Sequence, residues 1–166
     1  MTGSIAAAVI TCSNRSAAGD RPDSSGRLLA DTLADWGYDV LAKLVVPDDV
    51  ALIQKALRQV LADGARLVLT TGGTGLSPTD VTPEAVAPMI ERAIPGIAER
   101  LRLVNADQVP TAVLSRGVAG LIGDALVVTL PGSPGGVRDG LAVLRPLVGH
   151  LLDQVSGGDH RPGGGV

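Results

Sequence analysis

The chain alternates between short, uniformly apolar runs and longer stretches in which apolar residues recur every three or four positions. Residues 50–61 place Ile53 and Leu57 on one face and predict an amphipathic helix. A further helix should begin with Thr82 as N-cap and be kinked or shortened at Pro88. Other helices are predicted over residues 27–36, 95–104 and 137–152. The apolar runs predict strands over residues 4–12, 38–46, 66–70, 111–114 and 125–130.

This alternation of strands and helices predicts an α/β domain with a mostly parallel sheet covered on both faces. Loops rich in Gly, Ser and Asp follow three of the predicted strands, over residues 12–26, 70–80 and 130–136. Ligands bind parallel sheets at the carboxyl ends of the strands, so these loops should converge if their strands are neighbours. We expect the domain to span residues 1–155 and residues 156–166 to form a disordered tail.

Composition narrows the possible functions. Fourteen Lys and Arg against 17 Asp and Glu give a net charge of −3, which disfavours nucleic-acid binding. The chain has no Phe, and Trp36 and Tyr38 are its only aromatic residues, so platforms for base stacking are lacking. A single Cys, Cys12, cannot form an internal disulfide, and two His offer little for a metal centre.

The sequence gives no sign of membrane insertion or export. No apolar run approaches the ~18 residues of a membrane helix. The N-terminus lacks the basic region, apolar core and cleavage site of a signal peptide. We therefore expect no membrane contact and a cytoplasmic location.

The loop over residues 70–75 carries three glycines within four positions. Gly72, Gly73 and Gly75 permit positive φ and close approach of the backbone to a ligand, and successive free amides form an anion site. The loop lacks the Gly-Lys-Ser/Thr of a Walker motif, and Pro78 stands where the dinucleotide fingerprint has Gly or Ala. A tight turn between a strand and a helix explains the glycines equally well.

Acidic residues follow two strand ends. Asp80 lies five residues past Gly75, and Asp48 and Asp49 follow the strand over 38–46. Each carboxylate has two readings: it caps a helix, or it holds a divalent cation against bound phosphates, as carboxylates commonly do for Mg²⁺. The residues alone leave this choice open.

Other polar residues in these loops also have two readings. Ser133 opens a helix, where it caps the N-terminus or donates to a ligand, and the two roles are compatible. Arg15 and Arg116 lie beside small polar residues and suit phosphate binding, although solvated loop cations look the same. Cys12 ends a buried strand and is expected to pack, because neither His lies where a catalytic partner is expected.

Residues 71–85, Thr-Gly-Gly-Thr-Gly-Leu-Ser-Pro-Thr-Asp-Val-Thr-Pro-Glu-Ala, resemble the signature of the molybdopterin-binding family of molybdenum cofactor biosynthesis. Its members include the bacterial Mog adenylyltransferases, the MoaB proteins and the N-terminal domain of gephyrin. Residues 13–15 and 25–26 resemble the first loop of the family. Further matches fall in family order over residues 46–49, 94–96, 113–116 and 130–134. The resemblance covers residues 5–155.

The resemblance implies a three-layer α/β/α fold, a homotrimer and adenylylation of molybdopterin. The terminal phosphate of the pterin would attack the α-phosphorus of MgATP and release pyrophosphate. The family carboxylates map to Asp80, as Mg²⁺ ligand, and to Asp48, which follows Pro47 and aligns better than Asp49. The implied substrate-binding residues are Ser13, Asn14, Arg15, Ser25, Gly26, Thr71, Gly72, Gly73, Thr74, Gly75, Ser115, Arg116, Pro131, Gly132, Ser133 and Pro134.

Three positions depart from the family pattern. Asn14 stands where relatives often have Asp, and Thr79 stands where many have a basic residue, which puts the contribution of both positions to substrate binding in question. Pro88 interrupts the helix after the signature but touches no implied contact.

Three other functions are compatible with the same motifs. One is a MoaB-like protein that binds molybdopterin without catalysis, and another is a molybdate-insertion domain, which normally lies in a much longer chain. The third is a trimeric structural partner. The presence of both carboxylates favours the enzyme, which is expected to contact the molybdate-insertion enzyme transiently.

Overall fold

The computed structural model describes residues 3–158, which form one six-stranded sheet flanked by helices. The strands are β1 (Ala6–Cys12), β2 (Asp39–Val46), β3 (Leu67–Thr71), β4 (Arg92–Ala93), β5 (Ala119–Ile122) and β6 (Ala125–Leu130). The α-helices are α1 (Asn14–Ala17), α2 (Ser24–Asp35), α3 (Val50–Ala62), α4 (Thr82–Val86), α5 (Pro95–Leu103) and α6 (Pro134–Val155). Residues 159–166 of the predicted tail lie outside the described residues.

The strand order in the sheet is β2-β1-β3-β6-β5-β4. β1 pairs in parallel with β2 and β3, and β3 pairs in parallel with β6, whereas β5 and β4 add an antiparallel edge. The mostly parallel sheet is therefore confirmed. Thr11, Thr71 and Leu130 are in register across the central strands, so the loops that follow them leave the sheet side by side. The expected convergence of the three loops is confirmed.

Each face of the sheet is covered by helices. Leu29 of α2 and Leu144 of α6 pack in one core with Val9 and the other side chains on that face of the strands. Ile53 and Leu57 of α3 pack in a second core on the opposite face. Because neighbouring strand residues point to opposite faces, the same uniformly apolar strands supply both cores. The three-layer α/β/α architecture is confirmed.

The predicted strand over residues 111–114 is wrong. Pro110–Leu114 form a 3-10 helix, and Val113 and Leu114 are half exposed. Pro110 has no N–H for a strand ladder, and its fixed φ suits the first residue of a helical turn. The run is apolar enough to suggest a strand but is not buried.

Two strands were not predicted. β4 has only two residues, both exposed, so it carries no apolar run. β5 contains Gly120, where a Cβ would lie 2.4 Å from Ile90 Cγ2. This close packing leaves no room for a β-branched or aromatic side chain, so the sequence of β5 lacks the residues that mark a strand. Residues 13–26, predicted to be a loop, contain α1 and the first turn of α2.

The effect of Pro88 is confirmed. α4 ends at Val86, and a 3-10 turn over Ala87–Met89 follows it. α6 continues through Pro146 as one helix of 22 residues. Within residues 3–158, no helix combines the length and apolar character needed to cross a bilayer.

Candidate active site

Two cavities lie side by side at the carboxyl edge of the sheet. The first, about 570 Å³, is lined by the segments after β1 and β2, the start of α2 and the signature loop. We call it the carboxylate cavity, because Asp48 and Asp80 both line it. The second, about 380 Å³, is lined by α5, the following 3-10 helix and the start of α6; we call it the apolar cavity. The signature loop borders both, with Gly72 and Gly73 on one side and Gly75 on the other.

Two glycines of the signature loop adopt backbone angles that other residues rarely take. Gly72 has φ +93°, and a Cβ there would lie 2.3 Å from the Cys12 carbonyl oxygen. Gly73 has φ +67°, and a Cβ there would lie 2.3 Å from Thr82 Oγ1. The loop therefore packs its bare backbone against β1 and α4. Positive φ is confirmed at Gly72 and Gly73 but not at Gly75, and close approach of this backbone to a ligand stays a prediction.

Buried hydroxyl groups hold the three loops together. Thr71 Oγ1 donates to the Pro131 carbonyl at 2.7 Å, and Ser25 Oγ donates to the Gly132 carbonyl at 2.7 Å. Thr82 was predicted to cap α4, but Val81 is the N-cap, without a side-chain hydrogen bond. Thr82 is the first residue of the helix, and its hydroxyl donates to the Gly72 carbonyl at 2.9 Å. It thereby fixes the signature loop instead of the helix end.

Asp48 is held by a reciprocal pair of hydrogen bonds with Asn14. The Asn14 N–H donates to Asp48 Oδ2 at 3.0 Å, and the Asp48 N–H donates to Asn14 Oδ1 at 2.9 Å. The other carboxylate oxygen, Oδ1, is buried without a hydrogen-bond partner. Burial, and to a smaller extent the charge of Asp80, raise the pKa of Asp48, partly opposed by the hydrogen bond from Asn14. This buried carboxylate oxygen is available to bind a cation or a water molecule.

Asp80 does not cap a helix. Its Oδ2 accepts the Ser77 N–H at 2.9 Å and so closes the tip of the signature loop. Residues 3–158 contain no cluster of three or more His, Cys, Asp or Glu side chains that could hold a metal ion. Asp48 and Asp80 line the same cavity, and such a pair suits a cation such as Mg²⁺, which binds one or two carboxylates and takes its other ligands from water and substrate phosphates.

The choice between Asp48 and Asp49 has a geometric answer. Asp49 is the N-cap of α3, and its Oδ1 accepts the Leu52 N–H at 2.9 Å. Asp48, one residue earlier, lines the carboxylate cavity. The capping reading therefore applies to Asp49, and the metal-binding reading stays a prediction for Asp48.

The raised pKa of Asp48 has a consequence for stability. A folded-state pKa above the ordinary value of 3.8 means that folding disfavours the charged carboxylate. Without metal, ionisation of Asp48 lowers the unfolding free energy as the pH rises from 3.8 to the raised pKa, and this destabilisation persists in full at neutral pH. Asp48→Asn should remove this pH-dependent destabilisation. Urea unfolding in EDTA from pH 3 to 7 should give wild-type and variant curves that diverge with rising pH, and parallel curves would contradict the assignment.

Ser133 lies where the two cavities meet and lines both of them. It is the N-cap of α6, and its Oγ accepts the Gly136 N–H at 3.1 Å. Because the hydroxyl accepts in this bond, its own proton is free to be donated to a ligand. The capping and binding roles are therefore compatible in this geometry.

Most of the predicted binding residues line the two cavities, and a few do not. The carboxylate cavity contains Ser13, Asn14, Arg15, Ser25, Thr71, Gly72, Gly73 and Gly132. The apolar cavity contains Thr74, Gly75, Ser115 and Pro131. Gly26, Arg116 and Pro134 line neither cavity. Gly26 is tightly packed, since a Cβ there would lie 2.3 Å from Thr11 Oγ1. Substrate contacts by all these residues remain predictions.

Several lining residues were not predicted. Arg21 and Asp23 line the carboxylate cavity, and Arg102, Asn105 and Asp139 line the apolar cavity. Asp23 caps α2 by accepting the Gly26 N–H at 2.9 Å, which an Asp before Ser-Ser-Gly would have signalled. Arg102, Asn105 and Asp139 lie on or just after α5 and α6, whose approach to the loops depends on the tertiary fold, so no local pattern marked them.

Cys12 lies beneath the signature loop and is buried. Burial raises the pKa of its thiol to about 11, with the nearby Asp48 charge adding to the increase and a hydrogen bond with Thr82 opposing it. The thiol is therefore protonated near neutral pH and is a poor nucleophile.

Fold and site together define an α/β/α domain with two cavities and a glycine-rich loop at the carboxyl edge of its mostly parallel sheet. The model of the family described as "Probable molybdopterin binding domain" matches residues 8–150, and the chain belongs to this family.

Relatives of known name support the same assignment. The chain is 37% identical to the molybdopterin adenylyltransferase of Pyrococcus furiosus, covering 87% of each protein. It is 41% identical to a molybdenum cofactor biosynthesis bifunctional protein of Synechococcus elongatus; 96% of the chain matches, but it spans only 51% of that protein. The structure of the Mog protein from Mycobacterium ulcerans superposes with a TM-score of 0.87 at 44% identity, covering 92% of this chain and 99% of that one.

Proposed function

We propose that the chain is a molybdopterin adenylyltransferase, which joins AMP from MgATP to molybdopterin and releases pyrophosphate. The observation that supports this most strongly is the pair of cavities that share Ser133 and border the signature loop, with Asp48 and Asp80 together in only one of them. Two substrates bound in adjoining cavities are held for direct transfer, which supplies much of the catalysis in phosphoryl-type reactions. The names of the relatives point to the same reaction.

The carboxylate cavity suits the triphosphate of ATP. Arg15 and Arg21 line it and supply positive charge for phosphates. Asp48 and Asp80 are the residues that would hold Mg²⁺, whose charge would stabilise the departing pyrophosphate. In an acidic chain with a net charge of −3, two anionic substrates require such local positive charge.

The apolar cavity suits the pterin ring system. Leu101 and Val104 on one wall and Pro131 on another give apolar surface for a flat ring, as is usual in ligand pockets. Asp139 is the one carboxylate among the described residues that line this cavity. A pterin carries an amino group and a ring N–H on one edge, and a carboxylate accepts both donors.

The proposed reaction forms one phosphorus–oxygen bond and breaks another. An oxygen of the terminal phosphate of the pterin attacks the α-phosphorus of ATP, and the bond from that phosphorus to the bridging oxygen of the β-phosphate breaks. The Gly73 backbone amide and the Ser133 hydroxyl line the carboxylate cavity, where they would bind the phosphate oxygens. The Gly72 N–H already donates to the Leu130 carbonyl at 3.1 Å. Asp48 and Asp80 would hold the cation, a role that needs no proton transfer by either carboxylate.

The assignment of the pterin to the apolar cavity predicts the effect of Asp139→Asn. The amide cannot accept two hydrogen bonds from donors on one edge, so the Kd for molybdopterin should rise by about tenfold or more, while the Kd for ATP stays unchanged. Fluorescence titration measures both constants. Asp31→Asn, on the exposed face of α2, is the matched control. Equal affinity of Asp139→Asn and wild type for molybdopterin would remove Asp139 from the pterin site.

Identification of the product tests the proposed function. The protein is incubated with molybdopterin and MgATP, and the bound ligand is released and analysed by mass spectrometry. Adenylylated molybdopterin is the expected product. Unmodified molybdopterin at full occupancy would instead identify a binding protein of the MoaB-like kind.

We further propose that the protein forms a homotrimer and passes its product to a molybdate-insertion enzyme in a transient complex. Sedimentation of the protein with and without that enzyme tests both.

A further inference from the structure

We infer that Arg116 is a positioning residue that fixes the backbone of Asp80, and so the metal-binding carboxylate, without contacting substrate. This inference rests on the proposed function, because it assigns Asp80 to the metal. The family resemblance implied that Arg116 binds substrate, yet its side chain lines neither cavity.

The guanidinium of Arg116 joins the two ends of one loop. Its Nε donates to the Gly75 carbonyl at 2.8 Å, and its Nη2 donates to the Asp80 carbonyl at 2.8 Å. These carbonyls bound the segment over residues 75–80, the tip of the signature loop. A planar group with donors in a fixed fork sets the separation and the orientation of two acceptors at once. The guanidinium therefore fixes the geometry of the whole tip.

The guanidinium is itself oriented by Glu84 on α4. Arg116 Nη1 donates to one carboxylate oxygen of Glu84, and Nη2 lies 3.4 Å from the other. The Arg116 backbone N–H also donates to the Thr74 carbonyl at 2.8 Å. Contacts with protein thus occupy four of the five guanidinium N–H groups. A phosphate that needs a bidentate arginine would find only one N–H free.

The position of the Asp80 carboxylate depends on the loop tip that Arg116 fixes. Its Oδ2 accepts the Ser77 N–H at 2.9 Å, and a Cβ on Gly75 would lie 2.8 Å from the same oxygen. The carboxylate is therefore packed inside the loop whose two ends the guanidinium joins. A change in the separation of the Gly75 and Asp80 carbonyls moves the carboxylate relative to Asp48, which also lines the carboxylate cavity.

The positive charges of the carboxylate cavity come from other residues. Arg15 and Arg21 line that cavity and are the arginines placed to neutralise phosphate there, whereas Arg116 does not line it. Arg116 and Arg15 therefore have separable roles, one in placing the metal ligand and one in neutralising phosphate. The distinction predicts different kinetic signatures for their variants.

Arg116→Lys tests the inference, because an ammonium keeps the charge but cannot bridge both carbonyls in the same plane. Turnover should fall on the order of 10- to 100-fold in kcat, the cost of misplacing a catalytic group by about 1 Å. The Mg²⁺ concentration that gives half-maximal turnover should rise by about tenfold. The KM values for molybdopterin and ATP at saturating Mg²⁺ should stay within about twofold of wild type. Glu84→Gln, which removes the charge that orients the guanidinium, should change the same parameters in the same direction.

A second readout does not depend on turnover. Mn²⁺ is titrated by electron paramagnetic resonance in the presence of a non-hydrolysable ATP analogue, and its Kd should rise by about tenfold in Arg116→Lys. Arg66→Lys is the matched control, since Arg66 Nε donates to the Asp124 carbonyl at 2.9 Å beyond the opposite end of β3. This control should bind Mn²⁺ and turn over like wild type.

The outcomes separate the inference from the proposed function. A raised KM for ATP or molybdopterin, with kcat and Mn²⁺ affinity unchanged in both variants, would make Arg116 a substrate ligand and overturn the inference. Variants with wild-type kinetics and wild-type Mn²⁺ affinity would overturn it too. If instead the wild-type protein releases no pyrophosphate, the proposed function fails, and the Mn²⁺ titration still decides whether Arg116 positions Asp80.

Discussion

The Asp80→Asn variant is expected to lose adenylyl transfer on the order of 10²- to 10³-fold or more while it binds molybdopterin like wild type. The substitution removes the negative charge that holds the cation but keeps a side chain of the same shape. The amide oxygen of Asn can still accept the Ser77 N–H that closes the loop, so the fold should persist. Binding of the pterin is unaffected because Asp80 lines only the carboxylate cavity. Steady-state release of pyrophosphate and fluorescence titration of molybdopterin measure the two quantities.

Asp49→Asn is the matched control for this experiment. Asp49 is also a loop carboxylate at the same edge of the sheet, but it caps α3, and Asn is an equally good N-cap. Its turnover should be close to that of wild type. Wild-type turnover in Asp80→Asn would remove Asp80 from the metal site. An equal loss of activity in both variants would show that the effect is not specific to the cavity.

The Gly72→Ala variant should lose more than about 3 kcal/mol of unfolding free energy, enough to threaten folding. An alanine at φ +93° is strained by about 1–2 kcal/mol, and its Cβ would lie 2.3 Å from the Cys12 carbonyl oxygen. That oxygen belongs to the backbone of a central strand, so it cannot move aside as a side chain would. Urea denaturation followed by circular dichroism measures the loss.

The Gly64→Ala variant separates the cost of backbone strain at positive φ from the cost of steric overlap of the added Cβ. Gly64 has φ +100°, but no heavy atom lies within 4 Å of the position that a Cβ would take, so its substitution carries the strain alone. The Gly64→Ala variant should lose about 1–2 kcal/mol of unfolding free energy, clearly less than Gly72→Ala. Equal losses in the two variants would show that the signature loop moves away from β1 at little cost, contrary to the close approach described above.

The sequence predicted the fold well where local pattern and burial agree. The apolar runs of β1, β3 and β6 and the helical spacing of α3 are signals that tertiary structure reinforces. The prediction of a strand over residues 111–114 failed because a short apolar segment has no periodicity of its own and Pro110 favours a helical turn. β4 was missed because two exposed residues that pair at an edge leave no trace in an apolar pattern.

The site was predictable as a set of loops but not as two cavities. The signature motif and the two strand-end carboxylates identified one edge of the sheet. The division into cavities depends on how α5 and α6 pack, which brings Asn105 and Asp139 to the signature loop from separate parts of the chain. The different roles of Asp48 and Asp49 depend on the turn between β2 and α3. The motif places Arg116 near the site, but only the structure shows which atoms it contacts.

The measurement that tests the central claim most directly is release of pyrophosphate from MgATP by the purified protein with and without molybdopterin. The proposed function predicts release that depends on the pterin, one pyrophosphate for each pterin adenylylated, and that stops when Mg²⁺ is chelated. Tight binding of molybdopterin without release of pyrophosphate would contradict it. Asp48 and Asp80 would then belong to a binding protein, and the paired cavities would hold a ligand without transferring AMP.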